Sequence, residues 1–285
     1  MADDPGTPRL RSLLFVPGDR PDRMAKALGL GADALILDLE DAVAPAAKPA
    51  ARVATAEFLA TAERRAKLFV RINPLDSGLA GDDLAAVLPV RPDGIVLPKA
   101  EGGATLAALD AMIDRDMMIL PIATETPAAI FALGSYGGVT PRLAGLTWGA
   151  EDLPAAIGAE GAREGDGRYT PPYEMARALT LFGAHAAGVP AIETVYPDFR
   201  DLDGLAAYAA RGRRDGFAGM MAIHPAQVPV INAAFTPGEA EIARARAIVD
   251  LFAANPGAGA LSLDGRMVDA PHLKAARALL ARAGV

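Results

Sequence analysis

The sequence predicts an α/β fold, a (β/α)8 TIM barrel with a small C-terminal helix-hairpin-helix appendage. Two observations lead there: eight short apolar runs of strand character each end in a polar or charged cluster, and a helix-like stretch follows most of the clusters. The length agrees, since 285 residues accommodate one barrel of roughly 250 residues and a modest extension. In order, the runs are SLLFV before Pro17, Gly18, Asp19 and Arg20; ALIL before Asp38, Leu39, Glu40 and Asp41; LFV before Arg71, Ile72 and Asn73; and GIVL before Pro98 and Lys99. They continue with MMILPIA before Thr124, Glu125 and Thr126; LAGLTWGA before Glu151 and Asp152; AIETV before Tyr196, Pro197 and Asp198; and GMMAI before His224 and Pro225. All eight clusters then share the C-terminal rim, the face on which such barrels carry their chemistry.

Composition narrows the class. Hydrophobic residues make up 52% of the chain but aromatics only 5%, so the core is built from Ala, Leu, Val and Ile, and the abundant Ala favours helices outside the barrel. There is no cysteine, which excludes disulfides and thiolate ligands and is compatible with a reducing cytoplasm, the expected location. The opening MADDPGTPRL has no apolar h-region, so no signal peptide is expected, and no run approaches the ~18 apolar residues of a membrane span. A net charge of −7 without a basic block argues against nucleic acid. The expected partners are small molecules and further copies of the chain.

Two segments leave the βα rhythm. Residues 158–172, GAEGAREGDGRYTPP, read as a surface loop above the rim, a candidate lid or subunit contact. Past residue 235 the pattern changes, which divides the chain into a catalytic barrel, 1–235, and an extension, 236–285. Thr236, Pro237 and Glu239 carry an N-cap, N1 and N3 signature for a helix to about residue 254, which Asn255, Pro256 and Gly257 stop. Asp264-Gly265 between LSL and RMV predicts a hairpin, and Pro271 begins a last helix. About fifty residues make a poor core alone, so the extension is expected to pack on the barrel or on a neighbouring subunit.

The central constellation is Glu125 and Asp152, at the ends of adjacent strands five and six. Neighbouring strands lie ~4.8 Å apart, so two acids at one height can share a divalent ion. Carboxylates with room for water suit Mg²⁺, whereas zinc would want His or Cys. Alternation selects Asp152 over Glu151 if Leu146, Trp148 and Ala150 point into the barrel. The other reading is that each acid caps the helix that follows it. Asp38 and Glu40 share a parity, facing the mouth to hold metal-bound waters, to orient cations, or to pair with Arg71 and Lys99. Arg71 could neutralise a carboxylate or a developing enolate oxygen. Glu40 and Asp41 join Arg71 in the candidate catalytic set. In the first strand-to-helix turn, Arg20 and Lys26 could bind phosphate or belong to an ordinary solvated helix start. Pro127, Ala128 and residues 147–149 are expected to line the substrate pocket. His224 is the histidine placed for chemistry, and no G-x-S-x-G elbow is present.

The motifs RSLLFVPGDRPDRMAKA, LILDLEDAV with KPAAR, VRIN, VLPKAE, ETPAAI, WGAEDLPAAIG, AIHPAQV and GRMVDAP together resemble the citrate lyase beta-subunit-like branch of the HpcH/HpaI aldolase family, which includes malyl-CoA and citramalyl-CoA lyases. The resemblance spans nearly the whole chain. It implies a Mg²⁺-dependent barrel, usually a trimer, that makes or breaks a carbon-carbon bond beside a coenzyme A thioester, with an acyl-CoA and a keto acid as its small-molecule partners. By position it implies Glu125 and Asp152 as metal ligands and Arg71 as the active-site arginine. It further implies Asp269 as an acid delivered into a neighbouring subunit's site, and Arg20 and Lys26 as coenzyme A contacts. From the residues alone, Asp269 is a commonplace helix-start acid. Three other activities fit the same motifs: a class II aldolase on free keto acids, a non-autonomous subunit of a citrate lyase complex, and a malyl-CoA thioesterase or malate synthase-like reaction.

Overall fold

Eight parallel strands, β1 (Ser12–Pro17), β2 (Ala34–Asp38), β3 (Lys67–Arg71), β4 (Gly94–Leu97), β5 (Met118–Pro121), β6 (Leu146–Thr147), β7 (Ala191–Glu193) and β8 (Gly219–Ala222), pair in the order β5-β4-β3-β2-β1-β8-β7-β6. Parallel bridges between Ile119 and Leu143 and between Ile122 and Thr147 join the two ends, so the sheet closes into a barrel. This is the computed structural model of the chain, and it describes residues 9–113 and 116–285. The connections carry helices α1 (Pro21–Ala27), α2 (Lys48–Thr61), α3 (Ala80–Val87), α4 (Gly103–Met112), α5 (Pro127–Ala132), α6 (Leu153–Ile157), α7 (Pro171–Ala187) and α8 (Leu202–Asp215), and α9 (Gln227–Ala234) follows β8. Apolar runs buried on both faces become parallel strands covered by helices, as crossover connections require.

The barrel is filled, not hollow. Leu13, Ala34, Ile36, Phe69, Val96, Leu120, Ile122, Ile192 and Met221 form one buried cluster inside it. Alternate residues such as Leu35, Leu37 and Val70 are fully buried between strand and helix layer. Helix α2 shows the matching pattern, burying Lys48, Ala51, Thr55 and Leu59 at helical spacing. Register sets the height of the rim: Pro17 pairs with Asp38, Asp38 with Arg71, and Arg71 with Val96. Since Ile36 and Phe69 point inward, alternation places Asp38 and Arg71 on top of the apolar stack.

Strand β6 departs from the expected alternation. A side chain at Gly145 would meet Leu120, and one at Gly149 would meet Ile122 and Glu125, so Gly145, Thr147 and Gly149 face the interior. Trp148 faces the helices instead, donating from Nε1 to Glu193 at 2.6 Å and meeting Tyr169 edge-on at 5.0 Å. The regular strand is only Leu146–Thr147, and beyond it the chain turns before Asp152, so parity does not carry through.

The described residues divide into two compact units, Leu10–Asn232 and a smaller one of Arg9 with Ala233–Val285. In the smaller unit, α10 (Glu239–Ala254) and α11 (Ala270–Ala283) flank the antiparallel pair β9 (Ala260–Leu263) and β10 (Arg266–Asp269). Asp264 and Gly265, with φ of 53° and 73°, form the expected hairpin turn. The start of α10 lies two residues later than its sequence signature. Gly238 is the N-cap, and the Glu241 side chain accepts from its N–H at 2.8 Å. Thr236 instead accepts a hydrogen bond from Arg9. Ala245, Ile248, Val268 and Ala276 form this unit's small core.

Candidate active site

Arg71 organises the rim. Its Nε and Nη2 donate to the two oxygens of Asp38, both at 2.7 Å, and Nη1 lies 2.9 Å from Glu40 Oε2 and 3.5 Å from Asp41. Its guanidinium carbon lies 4.9 Å from the centre of the Phe15 ring. Burial alone would weaken its hold on the proton, but the three carboxylates outweigh that and push its pKa above the ordinary value. Asp38 also accepts from the backbone N–H groups of Glu40 and Ala42, which folds the acidic loop back over the strand end. Asp38 is therefore the arginine's clamp. The structural ion pair expected of Arg71 is present.

Glu40 is buried, and its two oxygens differ. Oε1 accepts from Lys99 Nζ at 2.9 Å. Oε2, although close to Arg71, has no partner in hydrogen-bond geometry among the described residues. Burial raises the Glu40 pKa, partly offset by Arg71 and Lys99. Asp41 is exposed and only skirts the arginine. A buried lysine holds the loop from behind: Lys48 Nζ donates to the carbonyls of Leu39 and Glu40 at 2.7 and 2.8 Å and to Asn73 Oδ1 at 2.7 Å. Lys48 stands in KPAAR with no role expected of it, and its signal is a lysine directly before a helix-opening proline, just past an acidic cluster. Lys48→Met is expected to lower stability by about 2–4 kcal/mol, because buried carbonyls lose their donor. A urea midpoint equal to wild type would mean that the loop is held by other bonds.

Glu125 and Asp152 lie near enough across the β5–β6 boundary for the charge of Asp152 to act on Glu125. The Thr124 hydroxyl accepts from the Gly149 N–H at 3.1 Å and donates to its carbonyl at 3.0 Å, stapling the two strand ends together. Gly149 leaves the space that Glu125 fills, since a Cβ there would lie 3.0 Å from Glu125 Cγ. Glu125 is 4% exposed, and its Oε2 accepts from the Lys99 backbone N–H at 2.6 Å. Burial, with Glu40 and Asp152 nearby, pushes the Glu125 carboxyl up to about 8. Asp152 faces Lys99, with 3.8 Å between carboxylate and ammonium, whereas Glu151 faces Arg163 of the following loop at the same distance. Asp152 is thus the acid turned toward Lys99 and Glu151 the one turned away, and the turn after β6 produces this, not the inward Trp148 assumed for it. Asp152 is also the N-cap residue of α6, without a side-chain cap bond, so the helix leaves its carboxylate to other work.

Lys99 is the residue most underweighted by the sequence. Its φ of 48° puts a non-glycine residue in the left-handed region, a conformation that costs energy and recurs at functional sites. That backbone aims its N–H at Glu125, while its ammonium reaches Glu40 and approaches Asp152.

The remaining candidates are placed as follows. Arg20 caps the seven-residue α1 and pairs with Asp22 at 3.5 Å, Lys26 is exposed in its last turn, and Pro127 is the exposed first residue of α5. His224 accepts from the Ala226 N–H through Nδ1 and stacks on Phe199 at 4.8 Å. The loop of residues 158–170 is braced internally by an Arg163–Tyr169 bridge, with the guanidinium 4.0 Å over the ring. Asp269 belongs to the smaller unit, where it is the N-cap of α11 and lies 2.5 Å from His272 Nδ1. That contact holds its carboxyl below the usual range.

One rim thus gathers Arg71, Glu40, Lys99, Glu125 and Asp152. Residues 11–225 match the family model described as HpcH/HpaI aldolase/citrate lyase. The chain belongs to this family. It is an enzyme of that lyase class. A citrate lyase subunit beta-like protein of Mycobacterium tuberculosis is 38% identical over 271 residues, covering 95% of this chain and 94% of that protein. A (3S)-malyl-CoA thioesterase of Cereibacter sphaeroides is 36% identical over 280 residues, covering 96% and 94%. Among solved structures, protein CitE from Mycobacterium tuberculosis in complex with magnesium, acetoacetate and coenzyme A aligns with a TM-score of 0.82 at 35% identity, covering 96% of this chain and 98% of that one. No helix among the described residues is long and apolar enough to cross a membrane.

The donor set fits a hard divalent ion. Glu125 and Asp152 offer only oxygen, and the buried Glu125 carboxylate is costly without a cation beside it. Among the described residues no three acidic or histidine side chains converge to hold an ion. Two carboxylates would then leave most of the coordination shell to water and substrate oxygens, as Mg²⁺ favours.

Proposed function

We propose that the chain is a Mg²⁺-dependent carbon-carbon lyase that cleaves, reversibly, a 3-hydroxyacyl-CoA bearing a carboxylate on its hydroxyl carbon, such as malyl-CoA or citramalyl-CoA. Support comes chiefly from one observation: two carboxylates on adjacent strand ends, Glu125 and Asp152, share a rim with the clamped Arg71. Glu125 and Asp152 would hold the ion, which when bound supplies Lewis-acid polarisation of the substrate's oxygens. Glu40, held between Arg71 and Lys99, accepts the proton of the substrate hydroxyl. The electrons of the breaking C–C bond pass into the thioester, and Arg71 stabilises the developing enolate oxygen through its remaining N–H groups. Asp269, supplied by a neighbouring copy in a trimer, protonates the enolate carbon or removes that proton in the reverse direction. Arg20 and Lys26 contact the coenzyme A phosphates, and Pro127 lines the keto-acid pocket.

The resemblance to a (3S)-malyl-CoA thioesterase keeps one second reading, hydrolysis of the thioester. One assay separates the two: purified protein is offered malyl-CoA, citramalyl-CoA and citryl-CoA, with Mg²⁺ or excess chelator, while keto acid and free thiol are both followed. Metal-dependent release of keto acid and acyl-CoA is expected. Free coenzyme A without keto acid would establish the thioesterase. Silence on all three from folded protein would turn the reading to a free keto-acid aldolase or a subunit of a larger complex.

A further inference from the structure

The Lys99 ammonium lies 2.9 Å from Glu40 and 3.8 Å from Asp152, and its charge also acts on Glu125. It is two-thirds buried, and the left-handed backbone at Lys99 fixes the origin of its side chain. A divalent ion taken up by Glu125 and Asp152 would meet a positive charge within a few ångströms, where Coulomb repulsion is weakly screened. The arrangement also offers a way out. Oε1 of Glu40 already accepts from Nζ and gives the ammonium a second carboxylate on which to stay when it yields Asp152. The flexible four-carbon stem allows that swing at little cost.

We propose that Lys99 is a built-in competitor of the divalent ion, a positioning residue whose ammonium shares Asp152 with the metal and sets the metal's affinity. This rests on the reading that Glu125 and Asp152 hold the ion. Its consequence is a site that binds the free ion weakly and gains affinity when an anionic substrate brings further negative charge. Keto acids and carboxylated acyl thioesters are substrates of that kind. The ion and the substrate are thereby coupled, each raising the other's affinity by the same factor.

The test is calorimetric titration of the full-length protein with Mn²⁺, with and without pyruvate, at one fixed neutral pH for all variants. Lys99→Met and Lys99→Gln are expected to bind Mn²⁺ alone about tenfold more tightly than wild type, equal to about 1.4 kcal/mol, with a smaller gain on adding pyruvate. Lys99→Arg, which keeps the charge, is expected to restore the weaker affinity. Two different uncharged replacements guard against a folding defect in one. Unchanged or weaker Mn²⁺ affinity in folded Met and Gln variants overturns the proposal. If wild type shows no Mn²⁺ binding that Glu125→Gln or Asp152→Asn abolishes, the metal reading itself fails, and that result is distinct from the first.

Discussion

Arg71→Met is expected to abolish turnover and to destabilise the barrel by about 3–5 kcal/mol, the cost of removing one partner from a buried ionic group. Asp38 and Glu40 are nearly inaccessible, and both rely on the guanidinium for compensation. Against a total stability of roughly 5–15 kcal/mol this is a large fraction. Arg71→Lys would keep a charge but lose the fork that spans both Asp38 oxygens, so activity should fall by about two to three orders of magnitude with a smaller loss of stability. The double variant Asp38→Asn with Arg71→Met separates the two effects. Removing the orphaned carboxylate should recover part of the stability and none of the activity. Denaturant midpoints and kcat on the same preparations decide the matter. Full activity in a folded Arg71→Met protein would remove the arginine from the mechanism.

How much of this was legible in the sequence depends on the kind of pattern each residue belongs to. The barrel was readable because strand, polar cluster and helix recur eight times, and repetition outweighs errors in any one element. Arg71 closes β3, and Glu125 and Asp152 follow the ends of β5 and β6, so the recurrence made their place at the rim readable. Glu40 is related to Arg71 by register, since Asp38 and Arg71 are paired residues of β2 and β3. What stayed hidden depended on geometry that a local window does not encode. Trp148 faces the helices because Gly145 and Gly149 must face Leu120 and Glu125, and glycine gives no hydrophobic signal for a parity argument to use. Lys99 reads as an ordinary strand-end cation until its left-handed backbone turns its amide onto Glu125. Lys48 stands in KPAAR without a pattern that gives it a role, yet three buried oxygens close around its ammonium. Asp269 was singled out by family resemblance alone, because an acid before Ala270-Pro271 has a sufficient local explanation as a helix cap.

Metal-free Glu125→Gln is expected to be more stable than wild type at alkaline pH, with the difference disappearing in acid. The wild-type carboxyl is pushed up to about 8 by burial and by its acidic neighbours. In the unfolded chain it titrates near the ordinary value of about 4.3. Between those values the folded state keeps a proton that the unfolded state has released, so wild-type stability falls as pH rises through this window and levels off above about 8. Glutamine carries no such penalty and can still accept from the Lys99 N–H. The gap between the two proteins should grow from near zero below about pH 4 to on the order of 5 kcal/mol above about pH 8. Mg²⁺ narrows the gap, because an ion that binds only the folded wild type stabilises it by mass action, and the variant lacks a ligand. Thermal melts at several pH values, in chelator and in excess Mg²⁺, test both halves. Parallel pH profiles in chelator would mean that Glu125 is ionised in the folded protein well below 8. A Mg²⁺ shift that survives in Glu125→Gln would place the ion elsewhere.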